Sequence, residues 1–168
     1  MDWDDWKPIY NTIVERLHLD QIQDEKATEL LSEILEPINP EPLLQQLRWK
    51  ISNRSVVVCG AGPSLERHIQ TLKEEDKDRN ATFIAADGAV SVLLEHNCEC
   101  SIIATDLDSD AKHIIEAIDK GALAIVHGHG DNIPRIHEIV PSLSEALGST
   151  QVRPTNRAFL WGGFTDGD

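Results

Sequence analysis

Cysteine, basic charge and long apolar runs are all scarce in this chain, and each scarcity excludes something. Three cysteines, Cys59, Cys98 and Cys100, form an odd count without a framework spacing, which argues against structural disulfides. The Cys-x-Cys pair at 98 and 100 has no second Cys or His pair to complete a zinc site, so it is expected to be reduced and structural. Lysine and arginine total 15 against 29 acidic residues, for a net charge of −14. That balance disfavours nucleic acid as a partner, because binding a phosphate backbone needs basic patches. No apolar run approaches the length of a membrane span, and the acidic start "MDWDDWKPIY" is unlike the basic start of a secretory signal. These features predict a cytoplasmic protein. The acidity leaves one phosphate chemistry open: a nucleotide held through Mg²⁺, for which carboxylates are the required ligands.

At 168 residues the chain is long enough to bury one core. Residues 1–52 read as a helical region. "DWKPIYNTIVERLHL" carries Ile9, Ile13, Val14 and Leu17 at helical spacing. "DEKATELLSEILEPI" does the same with Leu30, Leu31, Ile34 and Leu35, and Asp24 is its expected N-cap. Pro37, Pro40 and Pro42 punctuate its end, and a short third helix, "PLLQQLRWK", follows.

Residues 53–168 read differently. Four short apolar runs, "RSVVVCGAG", "ATFIAADGA", "CSIIATDLD" and "GALAIVHGHG", alternate with helical stretches at 65–75, 89–96 and 110–120. "STQVRPT" is a further candidate strand. Continuous apolar strands separated by helices predict an α/β fold: a Rossmann-like, mainly parallel sheet with helices on both faces. Each run ends in glycine or aspartate, and ligands of open parallel sheets sit beyond the carboxyl ends of the strands. Four polar strand ends are therefore expected to share one crevice.

The motifs divide that crevice. In "VVVCGAGPSLE", Gly60 and Gly62 let backbone N–H groups approach a phosphate, and a helix start follows at Pro63 and Ser64. No Gly-Lys-Ser/Thr follows, and Leu65 holds the third glycine position of a dinucleotide fingerprint, so a plain βα turn competes evenly with a phosphate site. Asp87 ends the second run, as a ribose contact or a helix N-cap. In "IIATDLDSD", an extended chain would point Asp106 and Asp108 the same way, toward one hard cation such as Mg²⁺. Asp110 reads as a helix cap. "AIVHGHGDN" brings His127, His129 and Asp131 to another strand end; zinc could use such a set, but the oxygen-rich crevice suits Mg²⁺ better. "WGGFTDGD" closes the chain on Asp166 and Asp168 with no packing element after it, from which a natural domain is expected to continue further.

In this order, "CGAGPSLE", "AADGA", "ATDLDSD", "HGHGDN" and "GGFTDGD" resemble the archaeal 6-hydroxymethyl-7,8-dihydropterin diphosphokinase (MptE-like) family, which is related in fold to thiamin diphosphokinases. "DEKATELLSEIL" is similar to the family's N-terminal region, and "TDLDS" looks like the "GD-aromatic-DS" element that binds catalytic Mg²⁺ in the thiamin enzymes. Gly128 stands where the family pattern has alanine. The resemblance implies transfer of the β,γ-diphosphate of ATP to the hydroxymethyl group of a reduced pterin, with AMP leaving. It implies Asp106, Asp108 and Asp131 as catalytic and metal-binding carboxylates. It implies Gly60, Gly62, Pro63, Ser64, Asp87, Thr105, His129 and Asn132 as residues lining the nucleotide and substrate site. Arg135, Arg153 and Arg157 are candidate cationic helpers.

Three other classes compete with this expectation. A related transferase would act on another alcohol, thiamin-like or a sugar, and a panel of alcohols separates it by AMP release. A non-catalytic nucleotide-binding module would bind its ligand without regard to Asp106, Asp108 or Mg²⁺. An interaction protein would leave an apolar face exposed on residues 6–36, near Trp3, Trp6, Ile9, Ile13 and Leu17; packing of that face on the sheet domain, or self-association into a homo-oligomer, is the simpler expectation.

Overall fold

The computed structural model describes residues 2–75, 77 and 81–161. "GGFTDGD", with Asp166 and Asp168, lies outside the described residues. Three helices precede the first strand: α1 (Trp3–Leu17), α2 (Gln21–Leu35) and α3 (Pro40–Ile51). The N-cap of α2 is Asp20, whose carboxylate accepts from the N–H groups of Ile22 and Gln23. Asp24, the cap expected from sequence, lies one turn inside and is buried. Two acids four residues apart both fit the cap pattern, and only burial distinguishes them. Pro40 and Pro42 sit in the first turn of α3 rather than merely ending α2, where a missing N–H costs nothing.

The sheet contains β1 (Ser55–Cys59), β2 (Ala81–Ala86), β3 (Cys100–Thr105), β4 (Leu123–Gly128), β5 (Ala146–Thr150) and β6 (Ala158–Phe159). All neighbours pair in parallel, in the order β1-β2-β3-β4-β5-β6. The fifth strand begins earlier than "STQVRPT" suggested, and the two-residue β6 carries too little pattern to be read. The connecting helices are α4 (Leu65–Glu74), α5 (Ala89–Glu95), α6 (Ala111–Asp119) and α7 (Ile133–Ile139). Asp110 caps α6 by accepting from the Lys112 N–H, as expected.

Strand order decides where the helices go. Right-handed crossovers in a monotonic order place every connecting helix on one face. Accordingly Ile69, Leu93, Ile114 and Ile136, one from each connecting helix, share a core cluster with Phe83, Ala85, Ile103, Ala124 and Val126 of the sheet. Ala27, Leu31 and Leu35 of α2 belong to the same cluster. Burying each such leucine contributes on the order of 1.5–3 kcal/mol. On the opposite face, Leu43 and Leu47 of α3 cover Ile102, Leu123 and Leu147. Helices thus lie on both faces, but unequally. Edge strand β1 is covered on one side, leaving Val56 and Val58 41% and 69% exposed.

The N-terminal helix docks rather than presenting an open face. Trp6 and Tyr10 are buried with Val152, and Trp3, Ile13 and Val14 pack around them. Ile9 and Leu17 face solvent. No helix among the described residues is long and apolar enough to cross a membrane.

Candidate active site

Because the strands are all parallel, the carboxyl ends of β1 to β4 fall on one edge of the sheet. The acidic turn at the end of β3 stands at its centre. The strand stops at Thr105, and Leu107 has a left-handed backbone with φ of 72°. Asp106 and Asp108 are therefore brought together by a turn, and the extended-chain alternation expected from sequence does not apply. The Asp106 carboxylate accepts from the Asp108 N–H at 3.2 Å. Leucine disfavours this conformation because its Cβ crowds the carbonyl. The site tolerates it because Leu107 is completely buried and its backbone is bonded on both sides.

Four bonds hold the turn. The Thr105 hydroxyl accepts from Leu107 N–H at 2.8 Å and donates to Asp87 Oδ1 at 2.5 Å. Asn132 Nδ2 donates to the Asp106 carbonyl at 2.7 Å, and Arg135 Nε donates to the Leu107 carbonyl at 3.0 Å. Asn132 also donates to the His127 carbonyl, and its Oδ1 accepts from His129 N–H. Thr105 and Asn132, expected among the binding residues, are thus buried braces whose hydrogen-bonding capacity goes to the backbone and to Asp87. Arg135 also donates to the Ser109 carbonyl, and Arg157 donates to the Glu36 carbonyl. These two candidate phosphate cations are tied to the fold.

Negative charge accumulates around the turn. Burial, then the Asp106 and Asp87 charges, raise the Asp108 pKa, opposed by His129 and Arg135. A divalent cation would relieve that repulsion. Among the described residues no three His, Cys, Asp or Glu side chains converge closely enough to hold a metal between them. Zinc wants three or four protein ligands, and the described residues offer no such set. Mg²⁺ is commonly bound by one or two carboxylates, with substrate phosphates and water completing its shell. The Asp106–Asp108 pair fits that pattern.

Asp131, expected as the third metal carboxylate, is not gathered with them. It is exposed, in a 3-10 turn at Gly130–Asn132, and lines a cleft against the α1–α2 turn. His129 stands between the two spaces. It lines that cleft, and its buried Nε2 has no hydrogen-bond partner and lies 3.7 Å from Asp106 Oδ2. His127 is buried, with Nδ1 3.0 Å from the Ser149 hydroxyl. Burial, then neighbouring His129, lower its pKa to about 4, so it is neutral at pH 7.

The glycines of "HGHGDN" have a packing cause. A Cβ on Gly130 would stand 2.7 Å from the Gln23 Cβ, and one on Gly128 would stand 3.3 Å from Leu31 Cδ2. Helix α2 presses directly on the end of β4. Gly130 N–H donates to Asp24 Oδ1 at 2.7 Å, while Asp24 Oδ2 accepts from Tyr10 at 2.6 Å and Gln151 at 2.9 Å. Burial and the Asp24 carboxylate raise the Tyr10 pKa far above the ordinary phenol range. Trp6 Nε1 completes the network on the Gln151 carbonyl. Sequence reading missed this hub, since its partners lie up to 127 residues apart and share no local pattern.

Gly60 and Gly62 differ. A Cβ at either would meet nothing within 4 Å, and neither has a positive φ. Neither packing nor backbone conformation requires glycine there. Pro63 precedes rather than begins α4, and Ser64 caps it without a side-chain bond. Asp87, with φ of 41°, uses its carboxylate toward Thr105 instead of capping α5, whose N-cap is Gly88. Cys98 and Cys100 lie at the opposite end of β3 from the acidic turn, and burial raises the Cys100 thiol to about 11.

Comparison with known proteins adds relatives to this geometry. A family described as "6-hydroxymethylpterin diphosphokinase MptE-like" matches residues 26–168. A protein of Methanocaldococcus jannaschii is 39% identical over 174 residues, covering all of this chain and 72% of the relative. One of Pyrococcus furiosus is 39% identical over 168 residues, covering all of this chain and 70% of the relative. One of Methanothermobacter thermautotrophicus is 36% identical over 163 residues, covering 97% of this chain and 68% of the relative. All three carry the name 6-hydroxymethyl-7,8-dihydropterin pyrophosphokinase.

Proposed function

The chain belongs to the MptE-like 6-hydroxymethylpterin diphosphokinase family, and from that premise we propose that it transfers diphosphate from ATP to the hydroxymethyl oxygen of 6-hydroxymethyl-7,8-dihydropterin. The acceptor oxygen forms a bond to the β-phosphorus of ATP. The bond from that phosphorus to the oxygen bridging toward the α-phosphorus breaks, AMP leaves, and the hydroxymethyl proton is released. The braced acidic turn at the centre of the parallel strand ends is the observation that carries this reading. Diphosphoryl transfer asks the protein for positioning and charge neutralisation rather than covalent chemistry.

Each residue has a part in that scheme. Asp106 and Asp108 would hold Mg²⁺, which supplies neutralisation of phosphate charge and a template for in-line displacement. Thr105, Asn132 and Arg135 keep the turn in its left-handed conformation before substrate arrives, so little reorganisation is left for the reaction step. The Gly60–Ser64 turn and the N-terminus of α4 offer backbone N–H groups to the triphosphate, which supplies the reason for glycine that packing does not. Asp87, half-buried and accepting from Thr105, would contact a substrate hydroxyl at the neighbouring strand end with its other oxygen.

The test is chromatography of ATP, Mg²⁺ and 6-hydroxymethyl-7,8-dihydropterin after incubation with the protein. AMP and a pterin diphosphate are expected, both lost in Asp106→Asn. ADP in place of AMP would mean single-phosphate transfer and refute the proposal. Product formation that is indifferent to Mg²⁺ and to Asp106 would refute the metal assignment.

A further inference from the structure

The cleft between the α1–α2 turn and the Gly130–Asn132 turn has a volume of about 220 Å³ and no role in the scheme above. We infer that it is the acceptor pocket, taking the fused 2-amino-4-oxo heterocycle of the reduced pterin with Asp131 on its N–H-bearing edge. The inference rests on the pyrophosphokinase reading for the identity of the acceptor, and on the geometry for its place.

Position comes first. His129 lines the cleft and also faces Asp106 at 3.7 Å, so the cleft opens beside the metal-binding turn. A ring held there would be separated from the Asp106 carboxylate by the His129 side chain alone in that direction. Size comes next. Pockets for drug-sized ligands occupy roughly 300–1,000 Å³. At about 220 Å³ the cleft falls below that range and is of a size to take one fused bicyclic ring. ATP would then use the open strand ends near Gly60 and Gly62, as proposed above.

The polar groups narrow the chemistry. Asp20 is spent on the first turn of α2. Asp24 is spent on Tyr10, Gln151 and Gly130. The exposed Asp131 carboxylate and the side-chain amide of Gln23 take part in none of the hydrogen bonds among the described residues. An ionised carboxylate accepts only, and two adjacent N–H donors satisfy it in bidentate fashion. The 2-amino group and ring N3–H of a pterin present that pair. Three acids in one small cleft also repel a polyphosphate while tolerating a neutral, donor-rich ring. This accounts for the separation of Asp131 from Asp106 and Asp108: it binds the acceptor rather than the metal. The bond from Gly130 N–H to Asp24 holds the adjoining backbone, so Asp131 is presented from a fixed turn.

The test combines binding and kinetics on the full chain. Oxidised 6-hydroxymethylpterin is titrated by its fluorescence, without nucleotide, against wild type, Asp131→Asn and Gln23→Phe. Steady-state rates are measured with the dihydropterin and with ATP varied separately, and circular dichroism checks that each variant is folded. Replacing a charged acceptor should weaken pterin binding and raise the pterin KM by about tenfold or more, with the KM for ATP unchanged. Gln23→Phe, which fills the cleft without altering Asp131, should give the same selective loss. Pterin affinity unchanged in both folded variants would overturn the pocket while leaving the reaction standing. Pterin binding that depends on Asp131 in a wild-type chain forming no pterin diphosphate would leave the pocket standing and overturn the reaction. A parallel loss of ATP affinity, or no pterin binding by wild type, would overturn the pocket.

Discussion

Replacing Asp24 with alanine should damage this protein more than any change at its exposed acids. The carboxylate is only 4% exposed and accepts three hydrogen bonds, from Tyr10, Gln151 and Gly130. Alanine removes the acceptor and leaves three donors facing one another around a small void. Each stranded buried donor costs about 1–3 kcal/mol, so the expected loss is about 3–9 kcal/mol for the three. Domains of ordinary stability have about 5–15 kcal/mol in total, so a large fraction would disappear. In a chain of this size each kcal/mol moves the melting midpoint by about 2–4 °C, which predicts a fall on the order of 10 °C. Urea unfolding followed by circular dichroism measures the free energy, and a thermal scan gives the midpoint. Tyr10→Phe, which removes one donor and leaves the acceptor with two, should cost much less. The Asp24→Ala and Tyr10→Phe changes should also couple by about 0.5–3 kcal/mol in a double-mutant cycle. An Asp24→Ala protein within about 1 kcal/mol of wild type would refute the reasoning, because the hub would then be solvated or dispensable.

Gly130→Ala should destabilise by about 1–3 kcal/mol, since its Cβ would meet the rigid Gln23 Cβ at 2.7 Å; Gly128→Ala, whose tightest contact is the movable end of Leu31 at 3.3 Å and which meets the Ala27 carbonyl only at 3.4 Å, should cost less, and paired urea melts compare them. His127 has a folded-state pKa of about 4 against an ordinary 6.5, so its contribution is complete above pH 6.5 and is lost as pH falls toward 4. The full loss is about 3 kcal/mol, and melting midpoints from pH 7 to 4 should fall less steeply in a His127→Gln variant. Arg135→Ala should free the Leu107 and Ser109 carbonyls and loosen the acidic turn, raising the Mg²⁺ concentration for half-maximal activity several-fold, read from a metal titration of AMP release.

What was legible in the chain was local. Val56 to Cys59, Ile102 to Thr105 and Leu123 to His127 read as strands because a run of apolar side chains declares itself without knowledge of its neighbours. Asp110 read correctly as a cap because its partner, the Lys112 N–H, is two residues away. Asp24 read wrongly for the complementary reason. Its partners Gly130 and Gln151 are more than a hundred residues distant, and nothing in "DQIQDEK" separates a buried acceptor from an exposed cap. Asp106 and Asp108 stood out as a pair, but the turn that joins them did not. The left-handed Leu107 depends on Thr105, Asn132 and Arg135 arriving from elsewhere.

The sequence by itself determined the alternation of strands and helices, the parallel sheet that follows from it, and the gathering of polar strand ends on one edge. Those outcomes rest on side-chain periodicity and on the handedness of crossovers, which are properties of short segments. Only the tertiary structure decided that α2 is part of the core, that Gly128 and Gly130 are glycines because a helix presses on them, and that Thr105 and Asn132 brace the site from within. It also decided that Asp131 stands apart from the carboxylate pair. Those outcomes depend on distances between atoms far apart in the chain, which no local propensity encodes.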